Sequence, residues 1–472
     1  MPINRAHPLV QKIDRFLYSP AYFLLVGGLT VLSNVFSLEI FVYTAIILLS
    51  LYICLFSRDL LPLFPLFVCG YISPSAGNNP GVNDNSIFSL SGGGLYLIIA
   101  LIPVAICLVF RLMTDPDFGG RQFLTKKRSL LSGMLVLSLT YALSGLGSGQ
   151  WTQYGWRNLL FAFVQFLAIT GLYYLLSGAV KWEQAPRAYL FWTGLCVGYV
   201  LLAELIGIYL QSDVIVNGAI LRGRIVTGWG HYNNIGALFA IIIPLPFFLT
   251  GKGKYAVFAY ISAFLFFVGL LFTCSRTSIL FGIVMYILSY VLSMIHSKHA
   301  RRQIGMHIAI LVLLIAVVVV FRKQLLWLFR DLVDTGFDSM VDRRRDYLAG
   351  LKQFAQFPVF GGSFFPVDHW PYAWSSAESF LKLFPPRWHN TFVQLLATGG
   401  VACFAGYGFH RVQTVKLFVK HFTTEKLFAG LSVLALLLTS MLDCHFFNLG
   451  PVLLYSGLLA IVECQLDQIE HL

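Results

Sequence analysis

The chain has 472 residues, of which 57% are hydrophobic and 11% charged, with 42 Phe and a formal net charge of +12. Soluble globular chains average about 45–50% apolar and about 25% charged residues, so this composition excludes a water-soluble globular domain. Apolar runs near the ~20 residues that cross a bilayer recur from end to end, which predicts an all-α, polytopic helical membrane protein.

The first run, SPAYFLLVGGLTVLSNVF, lacks a small-residue cleavage site and is followed at once by another. It reads as a first span and not as a removed signal peptide. Spans are predicted near 20–36, 38–56, 60–74, 90–110, 130–147, 157–179, 188–210, 234–250, 255–274, 277–295 and 306–321. A polar, aromatic-rich segment, 322–390, follows, and three spans close the chain near 391–409, 427–443 and 449–464. This makes about fourteen spans, with twelve or thirteen left open by the short, closely spaced runs at the start. Residues 1–321 are thus expected to carry the first eleven spans, 322–390 a large external loop with an amphipathic helix, and 391–472 the last three spans and a cytoplasmic C-terminus.

Basic residues set the orientation. With the N-terminus inside, the inner connections hold 20 of the 33 Lys and Arg residues, and 9 of the remainder fall in the single long loop 322–390. Long loops translocate with little regard to charge, so the comparison that matters is 20 inner against 4 in short outer connections. Both termini are predicted cytoplasmic. The basic excess is a topology signal, and nucleic acid is not an expected partner. The eight cysteines fall in or beside apolar runs with no CxxC pair, which marks them as small buried hydrophobes.

The four outer exceptions are Arg157, Arg222, Arg224 and Arg276. Arg157, after GQWTQYGW, reads as a side chain snorkelling to an aromatic-rich interface. LRGRIVTGWGHYNNIGALF gathers Arg222, Arg224, His231, Asn233 and Asn234 before a span, with glycines that let backbone approach a ligand. FTCSRTSILFG places Arg276 in a hairpin between two apolar helices, with no Asp or Glu within twenty residues. A guanidinium there is costly without an anion to compensate it. In the long loop, VDRRRDYLAGLKQFAQFPVFGG sets Arg345 at helical spacing with Leu348, Leu351 and Lys352, so that it can point toward the membrane mouth. Asp342 and Asp346 can pair with Arg343 and Arg344 as a solvated charge run. PVFGG then breaks the helix. RWHNTFVQLLATGG puts His389 and Asn390 where the next span begins, with Thr391, Gln394 and Thr398 on nearby helical faces.

By topology, Arg222, Arg224, His231, Arg276, Arg345 and His389 share one face of the membrane. Arginines with two imidazoles and no carboxylate cluster suit a diphosphate, because guanidinium forks bind phosphate oxygens bidentately and stay charged. No HExxH, DxD or carboxylate pair of useful spacing suggests a metal site.

In order and spacing, GRIVTGWGHYNN, SRTS, RRRDYLAGLKQFAQFPVFGG and RWHNTFVQLLATGG resemble the O-antigen ligase and polymerase family over roughly residues 220–400. The resemblance implies a mostly helical membrane glycosyltransferase of the external face of a bacterial cytoplasmic membrane, acting in cell-surface polysaccharide synthesis without a metal or other cofactor. Its donor would be a polyprenyl-diphosphate-linked glycan and its acceptor a second glycan or lipid, within membrane lipids. Family roles carry over onto Arg224 or Arg222, Arg276 and His389, with Arg345 as the loop arginine. His389 would act as general base and the arginines would stabilise the departing diphosphate. His231, Asn234 and Asn390 would complete the substrate site. The long aromatic stretch FPVDHWPYAWSSAESFLKLFPP departs from the family pattern and bears on specificity. Two rivals are a flippase for the same lipids, which calls for midplane charges and related halves, and a structural scaffold, which leaves the outer arginines unexplained.

Overall fold

The computed structural model describes residues 7–36, 38–70, 93–115, 126–149, 151–180, 189–211, 214–216, 219–251, 255–296, 300–323, 326, 330, 336–365, 388–420 and 422–470. Hydrocarbon offers a backbone no hydrogen-bond partner, so an apolar run must satisfy its own N–H and C=O groups, and a helix does so within one segment. The apolar runs are accordingly helices. They are α1 (Pro8–Leu17), α2 (Pro20–Phe36), α3 (Glu39–Phe56), α4 (Gly93–Thr114), α5 (Leu131–Ala142) and α6 (Trp151–Phe166). A π-turn (Leu167–Gly171) carries α6 into α7 (Leu172–Ala179), and α8 (Tyr189–Gln211) follows. After two small hairpins come α9 (Tyr232–Ile242), α10 (Ala256–Phe272), α11 (Arg276–His296), α12 (Ala300–Val320) and α13 (Gly336–Gln356). The last three are α14 (Thr391–Val419), α15 (Thr424–Ser440) and α16 (Leu449–Glu470).

Among the described residues, five helical stretches are long and apolar enough to cross a membrane alone: Gly155–Ala179, Tyr189–Leu210, Tyr232–Thr250, Arg276–His296 and Thr391–Val419. The α1–α2 pair, bent by 70°, makes a sixth if counted as one span, and seven shorter apolar helices accompany them. The chain is an all-α, multi-pass membrane protein. The run expected to span at 60–74 is instead two short buried turns, Leu63–Pro65 and Leu66–Gly70, and residues 71–74 of it lie outside the described part. The hairpins pair Ile215–Val216 with Ala219–Ile220 and Val226–Thr227 with Gly230–His231, the second feeding directly into α9.

The expected span at 391–409 runs on to Val419 and is broken at Gly400 (φ +63°, ψ −161°). The break is filled from outside the helix. Val401 and Ala402 N–H donate to the carbonyls of Pro358 (2.9 Å) and Val359 (3.1 Å), while Gly362 and Ser363 N–H donate to the carbonyls of Ala397 (2.8 Å) and Thr398 (3.0 Å). The PVFGG stretch therefore supplies the partners that the interrupted ladder of α14 lacks. Glycine is required on both sides. A Cβ at Gly361 (φ +68°) would run into the backbone of Thr398, and one at Gly400 into the carbonyl of Val359. One turn earlier, Gln353 Nε2 donates to the Ala397 carbonyl (3.0 Å), so α13 is held along α14.

Candidate active site

Three helices begin at one place. Helix α9 starts at Tyr232 behind His231, whose Nδ1 accepts from Asn233 N–H (3.2 Å). Helix α11 starts at Arg276. Helix α14 starts behind Asn390, whose Oδ1 accepts from Phe392 N–H (2.8 Å) and Val393 N–H (3.1 Å). Ser275 Oγ donates to Asn233 Oδ1 (3.0 Å) and tethers the first two starts. The absence of a side chain at Gly236 permits this, since a Cβ there would lie 2.8 Å from the Ser275 and Ser278 side chains. The starts of α9 and α11 are thus hydrogen-bonded to each other, and the positive end of a helix dipole is an environment that favours an anion.

The short connection between α15 and α16 ties the starts together. Asn233 Nδ2 donates to Asp443 Oδ2 (3.1 Å), Thr391 Oγ1 to the Asp443 carbonyl (3.3 Å), and Asn390 Nδ2 to the Met441 carbonyl (2.7 Å). Cys444 N–H in turn donates to Asp443 Oδ1 (2.7 Å).

His389 is the centre of the charged groups. Its Nδ1 lies 3.8 Å from Asp443 Oδ1, and its Nε2 lies 4.0 Å from Asp346 Oδ2. On the far side of Asp443, His445 Nε2 is 4.0 Å from Oδ2. His389 is half exposed while Asp443 and His445 are buried, so the imidazole sits between a sheltered carboxylate, Asp443, and a partly buried one, Asp346. Its backbone is left-handed (φ +49°), as is that of Cys274 (φ +55°), and each residue lies two before the first residue of its helix. Such a conformation is held only by its surroundings. Here Tyr347 Oη donates to the His389 carbonyl (3.1 Å), and Trp388 N–H donates to Gln394 Oε1 (3.0 Å). The Trp388 ring packs over Gly350, where a Cβ would lie 3.1 Å from it.

The expectation of a site without a carboxylate cluster is thus corrected: Asp346 and Asp443 both approach His389. Asp346 approaches His389 Nε2 from α13. Asp443, His445 and Asn448 escape a reading of the sequence because TSMLDCHFFNLG looks like a brief gap between two spans. A signal is nonetheless present, since three polar residues in a short connection between two apolar helices stand out.

The other expected residues divide. Arg276 is half buried at the first position of α11. Arg222 and Arg224, half buried, share one 3₁₀ turn (Arg222–Arg224), and Arg222 Cζ is 5.8 Å from the Tyr232 ring at the start of α9. His231 caps α9 beside them. Asn234 is buried one turn deeper, its Oδ1 accepting from Asn448 Nδ2 (2.7 Å), so it braces the connection and does not face the opening. Asn390 uses its oxygen on the α14 cap and its amide nitrogen on Met441, so it fixes the helix start and does not hold the His389 ring. Thr391, Gln394 and Thr398 are buried; Gln394 also accepts from Cys444 Sγ (3.4 Å), and Thr398 Oγ1 donates to the Gln394 carbonyl (2.6 Å). Arg345 is exposed on the face of α13 that turns away from Tyr347 and Gly350, whereas Arg343, half buried, lies one turn before Tyr347 on the packed face. Among the described residues, no group of three or more His, Cys, Asp and Glu side chains is arranged to hold a metal ion.

Residues 261–408 match the family model described as O-antigen ligase. The matched stretch holds Arg276, the 343–345 arginines, Asp346, His389 and the break in α14. No curated protein matches the chain.

Proposed function

We propose that this chain, assigned to the O-antigen ligase family through residues 261–408, is a membrane glycosyltransferase that uses a polyprenyl-diphosphate-linked glycan at the outer face of a bacterial cytoplasmic membrane. The glycan passes to a hydroxyl of a second glycan or of a lipid. The observation that carries this reading is the Asp443–His389 pair set where three helices begin.

In this mechanism the acceptor oxygen forms a bond to the anomeric carbon while the bond from that carbon to the diphosphate oxygen breaks. The acceptor proton goes to His389, and the electron pair leaves with the diphosphate. Nε2, on the side of the less sheltered Asp346, is the atom assigned the proton, because Nδ1 faces the fully buried Asp443 carboxylate. That carboxylate holds the ring in one orientation and stabilises the imidazolium as it forms, the role an aspartate plays behind a catalytic histidine. Base catalysis of this kind contributes typically ~10²–10⁴-fold. Arg276, with Arg222, Arg224 and the helix starts, meets the charge that develops on the diphosphate, and these fixed dipoles need no reorganisation when it appears.

The test is reconstitution in liposomes with a polyprenyl-diphosphate oligosaccharide and a candidate acceptor. A ladder of products identifies a polymerase, and one shifted product a ligase. Movement of the lipid-linked glycan across the bilayer without any new glycosidic bond would overturn the reading in favour of a flippase.

A further inference from the structure

Beneath Asp443 and His445, the connection between α15 and α16 turns a phenylalanine inward. The Phe446 ring meets Tyr407 of α14 edge-on (centroids 5.3 Å apart) and Tyr455 of α16 likewise (5.6 Å). Arg411 closes this group. Its Cζ lies 4.4 Å from the Phe446 ring centre, 4.5 Å from that of Tyr407 and 5.0 Å from that of Tyr455. Nη1 donates to Tyr455 Oη (2.8 Å), and the same hydroxyl meets His410 Nε2 (2.8 Å) and Thr414 Oγ1 (3.3 Å). A guanidinium can only donate, so Tyr455 Oη accepts from Arg411.

A cation among rings inside a helical bundle is a costly way to fill space, and a well-packed apolar side chain would stabilise the same contacts as well. What a guanidinium adds is direction. A planar cation attracted to three ring faces and bonded to one hydroxyl fixes the angle of each ring, and Phe446 is three residues from Asp443.

We propose that Arg411 is a positioning residue for the transfer site: by clamping Phe446 it fixes the 443–448 connection, and with it the Asp443 carboxylate, against His389. The inference rests on the reading of Asp443 and His389 as the reacting pair. It assigns a function to a half-buried cation about two-thirds of the way along α14.

The experiment compares Arg411→Met, Arg411→Lys, Phe446→Leu and the double variant Arg411→Met/Phe446→Leu in the reconstituted full-length protein. Arg128→Met is the control, since Arg128 is buried, is likewise stacked on a tyrosine (Cζ 3.9 Å from the Tyr174 ring) and bonds Ser177 Oγ (3.0 Å). Arg411→Met lowers kcat by about 10²-fold with donor KM unchanged, the loss expected when a reacting group shifts by roughly 1 Å. Arg411→Lys falls between, and the double variant is no worse than either single one, because both cut the same link. Amide exchange measured on the 441–448 peptide, which needs no glycan, speeds up in Arg411→Met and not in Arg128→Met. Unchanged exchange in Arg411→Met overturns the clamp whatever the protein's activity proves to be. Equal kcat losses in Arg411→Met and Arg128→Met, at matched thermal stability, overturn it too. If wild-type protein transfers no glycan while exchange responds as stated, the transfer reading fails and the clamp stands.

Discussion

Asp443 Oδ1 sits 3.8 Å from His389 Nδ1, although the whole of α14 and α15 separates the two residues in sequence. The pairing exists because Asn390 and Thr391 each bond the 441–443 backbone at the helix start, so the cap of α14 and the His389–Asp443 pair are one construction. Asp443→Asn keeps the shape and removes the charge. It should lower single-turnover rate by about 10²–10⁴-fold while leaving donor affinity close to wild type. His389→Ala should do the same, and the two changes together should cost no more than the worse one, as for residues acting as a unit. Additive losses, or full rate in Asp443→Asn, would show that the carboxylate does not act through the ring.

Arg276→Ala should have the opposite signature, with donor affinity lost and insertion near normal. Arg276→Lys should recover little, since an ammonium offers a point charge where the proposal needs a planar fork. Titration of donor binding beside single-turnover rate separates the two classes; a lysine variant with wild-type affinity sinks bidentate diphosphate binding at this position.

Along α13, Arg343 should matter more than Arg345. Arg343 shares the packed face with Tyr347, which holds the His389 carbonyl, while Arg345 is exposed on the other side. Arg343→Ala is expected to lower kcat/KM for the donor by at least about tenfold, the weight of one charge-assisted hydrogen bond of roughly 1.5–3 kcal/mol, with Arg345→Ala nearly silent. The reverse ranking in the same assay would return the role to Arg345.

The filled break in α14 makes a stability prediction. Ala at Gly400 or Gly361 must adopt a positive φ and intrude on the opposing backbone, so each should destabilise the protein by more than about 1 kcal/mol. Gly408, in the same helix but with no atom within 4 Å of its would-be Cβ, should accept Ala neutrally or with a gain of up to ~1 kcal/mol. Thermal unfolding in detergent ranks the three; a harmless Gly400→Ala contradicts the wedge.

The orientation inferred from the basic residues is tested by reporter fusions. Those after Arg111, Lys254, Arg302 and Lys420 should report the cytoplasm, and one near Trp374 the outside. An external signal after Lys254 or Arg302 would separate the helix starts from the face where the lipid-linked donor is proposed to bind.

The helical class is legible in the sequence because bilayer-length apolar runs leave few alternatives, and the motifs around Arg276 and His389 are legible as charged or titratable residues at the starts of apolar runs. The break in α14 is not. GlyGly within an apolar run costs little to read as helix, and only the Pro358–Ser363 backbone, far away in sequence, shows what occupies the gap. The face of α13 is hidden for a related reason. Leu348 and Leu351 suggest an apolar stripe, yet both are exposed, because α13 packs through Tyr347, Gly350 and Gln353 against α14. Close approach to another helix selects small and hydrogen-bonding residues, which hydrophobic spacing alone does not reveal.

The stretch 366–387 begins and ends at fixed points on a single helix. Ser363, just before it, is bonded to Thr398, and Trp388, just after it, is bonded to Gln394. Both anchors are bonds to α14, so the two ends of the stretch are referred to the same rigid element. His389, two residues past the end of that stretch, is thus held from α14 itself, through its neighbours Trp388 and Asn390, at a point the length of the intervening chain does not set.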